Sequence, residues 1–150
     1  MSALPAAETR QQIAWSYLVA ALLSLIGLGD SIFLTIKHLT GESLRCTVIS
    51  GCSEVLSSRY AEIGDVPLAA IGAVAYFTVF SLATLAAFSH RWPVPLLRLL
   101  VAAMFLMTLW LLYLQAFVIR HFCQYCLLSA AVTFVLSLIV LAPLVLRKKV

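Results

Sequence analysis

The chain has 150 residues, of which 63% are hydrophobic and only 11% charged, and its mean hydropathy is +1.07. A soluble domain carries about 25% charged residues, so this composition, with its apolar residues in long runs, excludes intrinsic disorder, a disulfide-stapled miniature and an ordinary soluble enzyme. The net charge of +4 is scattered, with no basic patch interleaved with aromatics, so the lipid bilayer and not nucleic acid is the expected partner.

Crossing a bilayer core takes about 20 predominantly apolar residues in helical form. Spans are predicted at roughly Ile13 to Ile36, Val66 to Phe88, Pro95 to Ile119 and Gln124 to Leu146. No charged side chain occurs from Val66 to Ser89, Leu99 to Ile119 or Leu127 to Leu146, whereas the first span contains Asp30. That first apolar stretch exceeds the about 7 to 15 residues of a signal-peptide core and is expected to remain as a helix. Asp65 ahead of Val66 and Pro67 reads as an N-cap, and Pro93 and Pro95 mark the start of the third span. The predicted fold is an all-α integral membrane protein, a four-transmembrane-helix bundle forming one membrane domain over residues 1–150.

Between the first two spans lies the one sizeable loop. From Cys52 to Gly64, Val55, Leu56, Tyr60 and Ile63 recur near helical spacing, which predicts a short amphipathic helix lying on the membrane surface over the open end of the bundle. Four spans put both termini on one side. Arg10, Arg91, Arg98 and the tail Arg147, Lys148, Lys149 share that side, so both termini are expected in the cytoplasm of a multi-pass inner (plasma) membrane protein. The long loop and the short turn at Arg120 then face outward.

All four cysteines fall at the outward end. Cys46 and Cys52 lie in the loop with five residues between them, and Cys123-Gln-Tyr-Cys126 opens the fourth span. Positions i and i+3 share a helix face, so these two sulfurs can form a disulfide or meet a common ligand, and a helix N-terminus favours the reactive thiolate. Three uses fit the spacing: a redox relay, two structural disulfides, or a thiolate metal site. Zinc sites usually use two close C-x-x-C knuckles, which this chain does not have, so no metal is expected. A position at the lipid boundary favours the relay.

Other polar residues near the spans carry weaker signals. Asp30 lies within about two turns of the outward end of the first helix and reads either as a proton-handling group or as a structural anchor. Ser31, Thr108 and Gln115 read as ties between helices, and His38 and His121 as interfacial residues. Arg45 beside Cys46 is either a thiolate-stabilising charge or a solvated side chain, and Gly51 beside Cys52 either a hinge or a plain turn.

Several stretches resemble the vitamin K epoxide reductase (VKOR) family in its bacterial branch. They are Gly29-Asp-Ser-Ile-Phe-Leu-Thr-Ile-Lys-His38, Cys46 with Cys52, Ser53 to Ala61, Pro67 to Tyr76, Tyr113-Leu-Gln and Cys123-Gln-Tyr-Cys126. A loop pair followed by a C-x-x-C on the fourth helix distinguishes this order from that of the disulfide bond formation protein B family. The resemblance implies a membrane thiol-disulfide oxidoreductase. Electrons would come from a periplasmic thioredoxin-like (DsbA-like) protein, acting in trans since no such domain follows the last span, and would support disulfide formation in exported proteins. Cys46 would exchange with that partner, Cys52 with Cys123, and Cys126 would lie nearest a membrane quinone, menaquinone or ubiquinone. Ser58 occupies the position that hydrogen-bonds the substrate carbonyl. Pro67 and Leu68 stand where vertebrate members have an asparagine, and Ala130 replaces a tyrosine, so epoxide reduction is not expected. The competing readings are a structural or assembly tetraspan protein held by two disulfides and a thiol-based transporter. The latter lacks a central charged or helix-broken site in the last three spans.

Overall fold

The computed structural model describes residues 4–88 and 90–148, with side chains over 8–88 and 90–146. The long helices are α1 (Leu4–Thr40), α3 (Leu68–Ala87), α4 (Pro93–Tyr113) and α5 (Gln124–Lys148). Between α1 and α3 lie the short helix α2 (Cys52–Leu56) and two strands, β1 (Glu62–Ile63) and β2 (Val66–Pro67). A π-helical turn, Leu114–Ile119, continues α4. Four segments, Glu8–Thr40, Leu68–Ala87, Pro93–Ile119 and Gln124–Leu146, are long and apolar enough to cross a membrane. The architecture is the all-α tetraspan bundle that the apolar runs predict. Of the basic tail used to orient it, Lys149 and the side chains of Arg147 and Lys148 lie outside the described residues.

Lipid gives no hydrophobic drive between helices, so small residues and close packing must supply the association. Ala20 and Ala21 of α1 and Ala83 of α3 are buried in one core cluster with Tyr76, Val79, Leu97, Val101, Leu136 and Val140. α1 packs most extensively on α3 and also contacts α5, which in turn packs on α4. The buried Tyr76 hydroxyl joins α3 to α5, 2.8 Å from both Ser129 Oγ and Thr133 Oγ1 and donating within 3.0 Å of the Ser129 carbonyl. Large apolar side chains such as Leu22, Val74, Phe77, Leu99 and Leu106 point outward, where acyl chains would cover them. Ser24, Thr84 and Ser137 return their hydroxyl hydrogens to their own helices, which satisfies them without water.

The connection after α2 departs from the helical expectation. The helix ends at Leu56, and the chain then folds through turns into a hairpin pairing Glu62 with Pro67 and Ile63 with Val66. Gly64, at φ 64°, and Asp65 form its two-residue turn, a conformation glycine adopts without steric cost. That hairpin displaces the Asp65 cap: Pro67 becomes the N-cap of α3, and the Leu68 N–H donates to the Ala61 carbonyl at 2.8 Å. Tyr60 and Ile63 are consequently exposed, and only Val55 and Leu56 of the predicted apolar face pack inward.

Candidate functional site

The end of the bundle beneath the loop holds all four cysteines. Cys46 and Cys52 are disulfide-bonded, with their Cα atoms 5.8 Å apart, and Cys123 and Cys126 are free thiols. Leu34, Leu44, Cys52, Val55 and Cys123 form one buried cluster, against which Cys46 and Cys126 pack from its edges. Cys52 and Cys123 are 1% and 0% exposed, so both are shielded from solvent thiols and can exchange only with a sulfur brought to them within the fold. Cys46 is partly exposed in the loop, and Cys126 partly exposed on α5.

Three local features hold this arrangement. Gly51, at φ 135°, packs so tightly that a Cβ there would lie 2.9 Å from the Phe122 carbonyl oxygen and 3.1 Å from His121 Cβ. It therefore serves close approach as well as a turn, seating the loop on the backbone just before Cys123. Gln124, between the two cysteines, reaches across to the loop: its Oε1 accepts from the Val48 N–H at 3.1 Å and its Nε2 donates to Thr47 Oγ1 at 3.2 Å. The π-helical turn brings Gln115 inward, where it is buried and its Oε1 accepts from the Cys123 N–H at 3.2 Å. Arg120, in the left-handed conformation at φ 57°, ends that turn and lets the chain reverse into α5.

Cys123 stands as the N-terminal cap of α5, with its carbonyl accepting from the Leu127 N–H at 3.0 Å. A hydrogen bond from the Cys126 thiol, aided by the N–H groups of Cys126 and Tyr125, outweighs burial and lowers the Cys123 thiol to about 7. A thiol there is substantially thiolate at neutral pH, and it is a better leaving group than an ordinary cysteine.

Cys126 opens onto something different. It lines a partly open cavity of about 150 Å³. The walls are mostly apolar, from Leu34, Val55, Leu56, Leu68, Leu111 and Leu112, with polar groups at Asp30, Ser31, Ser58, Thr108, Gln115 and Ser129. Cys123 is not among the lining residues. Ser58 is, but its hydroxyl donates to the Val55 carbonyl at 2.7 Å, so a ligand carbonyl would have to draw that hydrogen away. Mostly apolar walls with a few polar groups are the lining of a site for a weakly polar small molecule. Among the described residues no group of three or more His, Cys, Asp or Glu is placed to hold a metal ion.

The remaining residues singled out in the sequence divide. Gln115, Thr108 and Ser31 line the cavity. His38 Nε2 lies 3.5 Å from Glu62, tying the end of α1 to β1, and Arg45 is exposed. Gln124 and Tyr76 are the residues that sequence reasoning missed. Nothing in a glutamine between two cysteines marks it as a clamp, although Tyr76 closes one of the motifs quoted above.

Residues 18–141 match the vitamin K epoxide reductase family, which takes in both the loop pair and the C-x-x-C. That family consists of membrane thiol oxidoreductases that work with quinones and thioredoxin-like redox partners. The chain belongs to the vitamin K epoxide reductase family and is a membrane thiol oxidoreductase.

Proposed function

We propose that the protein accepts two electrons from a thioredoxin-like protein on the extracytoplasmic face and passes them through Cys46/Cys52 and Cys123/Cys126 to a membrane quinone. One observation carries this reading: Cys52 and Cys123 share a closed cluster, while Cys46 reaches the exposed loop and Cys126 the cavity. On this reading the four sulfurs act as an ordered series between two different surroundings. Both termini lie in the cytoplasm on this reading, with Arg10, Arg91 and Arg98 on that side.

The steps balance as thiol-disulfide exchanges. The partner's thiolate attacks Cys46 and releases Cys52, and a second partner thiol resolves the mixed disulfide, leaving Cys46 and Cys52 reduced. Cys52 then attacks Cys123 of the Cys123–Cys126 disulfide and expels Cys126. Cys46 closes on Cys52, and Cys123 leaves as a thiolate, a departure its lowered pKa of about 7 favours. The result is an oxidised loop pair above a reduced helix pair. Re-forming the Cys123–Cys126 disulfide from the Cys123 thiolate and the Cys126 thiol yields two electrons and one proton. A quinone, when bound, supplies an acceptor for both electrons and for that proton together with one from water. Cys126 would deliver the electrons, Ser58 would hydrogen-bond a carbonyl, and the loop with α2 would keep water out. The free Cys123 and Cys126 favour this relay over a protein held by two structural disulfides.

The test is quinone reduction by the purified protein supplied with a reduced thioredoxin-like partner. Cys46→Ala and Cys126→Ala should each abolish turnover. Turnover that survives both substitutions would sink the relay.

A further inference from the structure

Asp30 is buried in the wall of the cavity that Cys126 also lines, and its Oδ2 has no hydrogen-bond partner. Native proteins seldom leave a buried polar atom unsatisfied, and where they do a ligand or a catalytic duty is a common reason. No lysine, arginine or histidine among the described residues forms an ion pair with it. A structural anchor would show a partner from another helix, as Tyr76 does with Ser129 and Thr133. Of the titratable groups lining the cavity, Cys126 gives up electrons and Tyr60 is exposed in the loop. Asp30 is the remaining one, and a carboxyl group can both hold and release a proton.

We propose that Asp30 is the proton carrier of the cavity, taking the proton released when Cys126 is oxidised and delivering one to the acceptor's oxygen. This rests on the quinone reading above. The proton count closes with water as the second source: oxidation of the Cys126 thiol and the Cys123 thiolate frees one proton, which passes through Asp30, reduction of a quinone to the hydroquinone consumes that proton and one from water, and Asp30 ends each cycle as it began. Asp30 and the electron donor Cys126 line the same cavity, so this transfer stays within it.

Two half-reactions separate this role from a structural one. In Asp30→Asn, reduction of the Cys123–Cys126 disulfide by the reduced partner, measured in quinone-free protein, should stay within about twofold of wild type. Quinone reduction should fall about 100-fold or more, the scale of a lost general acid-base group, and Asp30→Glu should recover part of it. In quinone-free protein, oxidising the Cys123/Cys126 dithiol should also change a carboxyl infrared band that Asp30→Asn lacks. Unchanged quinone reduction in Asp30→Asn, equal loss of both half-reactions, or no carboxyl band responding to the thiols would each overturn the inference. Absence of quinone reduction by wild type would instead overturn the parent reading and this inference with it.

Discussion

Gly51→Ala is the sharpest probe of how the loop is seated. The residue sits at φ 135°, which an L side chain rarely adopts, and its Cβ would meet the Phe122 carbonyl oxygen at 2.9 Å and its nitrogen at 3.3 Å. Backbone atoms cannot swing aside as a side-chain tip would, so the loop must lift or its backbone must strain. Strain of this type costs about 1 to 3 kcal/mol. Taking about 2 kcal/mol, with about 1.4 kcal/mol per factor of ten, the equilibrium between docked and lifted loop shifts about 30-fold against docking. Transfer from Cys52 to Cys123 requires docking, whereas exchange at Cys46 does not. The assay is rapid mixing of the partner-reduced protein in the absence of quinone, following loss of the Cys123–Cys126 disulfide by acid quench and thiol labelling. We expect that step to slow about 30-fold while reduction of the loop disulfide by the partner stays near wild type. An internal transfer rate within about twofold of wild type would refute the claim that Gly51 seats the loop.

Related changes test the other supports. Gln124→Ala removes the bonds to Val48 N–H and Thr47 Oγ1, both in exposed surroundings; at about 1 kcal/mol of net loss the same transfer step should slow about fivefold, measured in the same way. Cys126→Ala removes the hydrogen bond that contributes most to lowering Cys123, so the thiolate absorbance of Cys123 should titrate near the ordinary thiol value of about 8.5 instead of about 7. The sign for stability follows. A thiol whose folded pKa lies below its unfolded one adds stability above the unfolded value and loses it as pH falls through about 7. The melting temperature of the reduced wild type should therefore rise across that window, and that of Cys126→Ala should not. Tyr76→Phe removes the hydroxyl that joins α3 to α5 and leaves Ser129 and Thr133 to find other partners, for about 1 to 3 kcal/mol of destabilisation in a detergent melt.

The sequence carried the parts of this protein that depend on periodicity and run length. Long apolar stretches interrupted by charge only at Asp30 and, near the start of the third, Arg98 leave the backbone no option in lipid but helix, so the four spans were legible, and the fourth coincides with Gln124–Leu146. The cysteine spacing was legible for the same reason, since i and i+3 on one helix must be neighbours. What the sequence hid depends on contacts between distant segments. Glu62 to Pro67 looked like the end of an amphipathic helix followed by a cap, but Gly64 and Asp65 make a tighter local solution as a hairpin turn. The π-helical turn that buries Gln115 has no compositional mark at all. Gln124 acts on Val48, far away in sequence, and Gly51 is required by the backbone of Phe122, so neither could be read from its neighbours.

The central claim is that electrons cross from the loop to the fourth helix between Cys52 and Cys123. Cys46→Ser combined with Cys126→Ser leaves only those two thiols, and mild oxidation of the purified double variant, followed by peptide mass mapping, reads their partnership directly. The account predicts an intramolecular Cys52–Cys123 disulfide in nearly every molecule. Two free thiols, or disulfides formed only between separate chains, would contradict it.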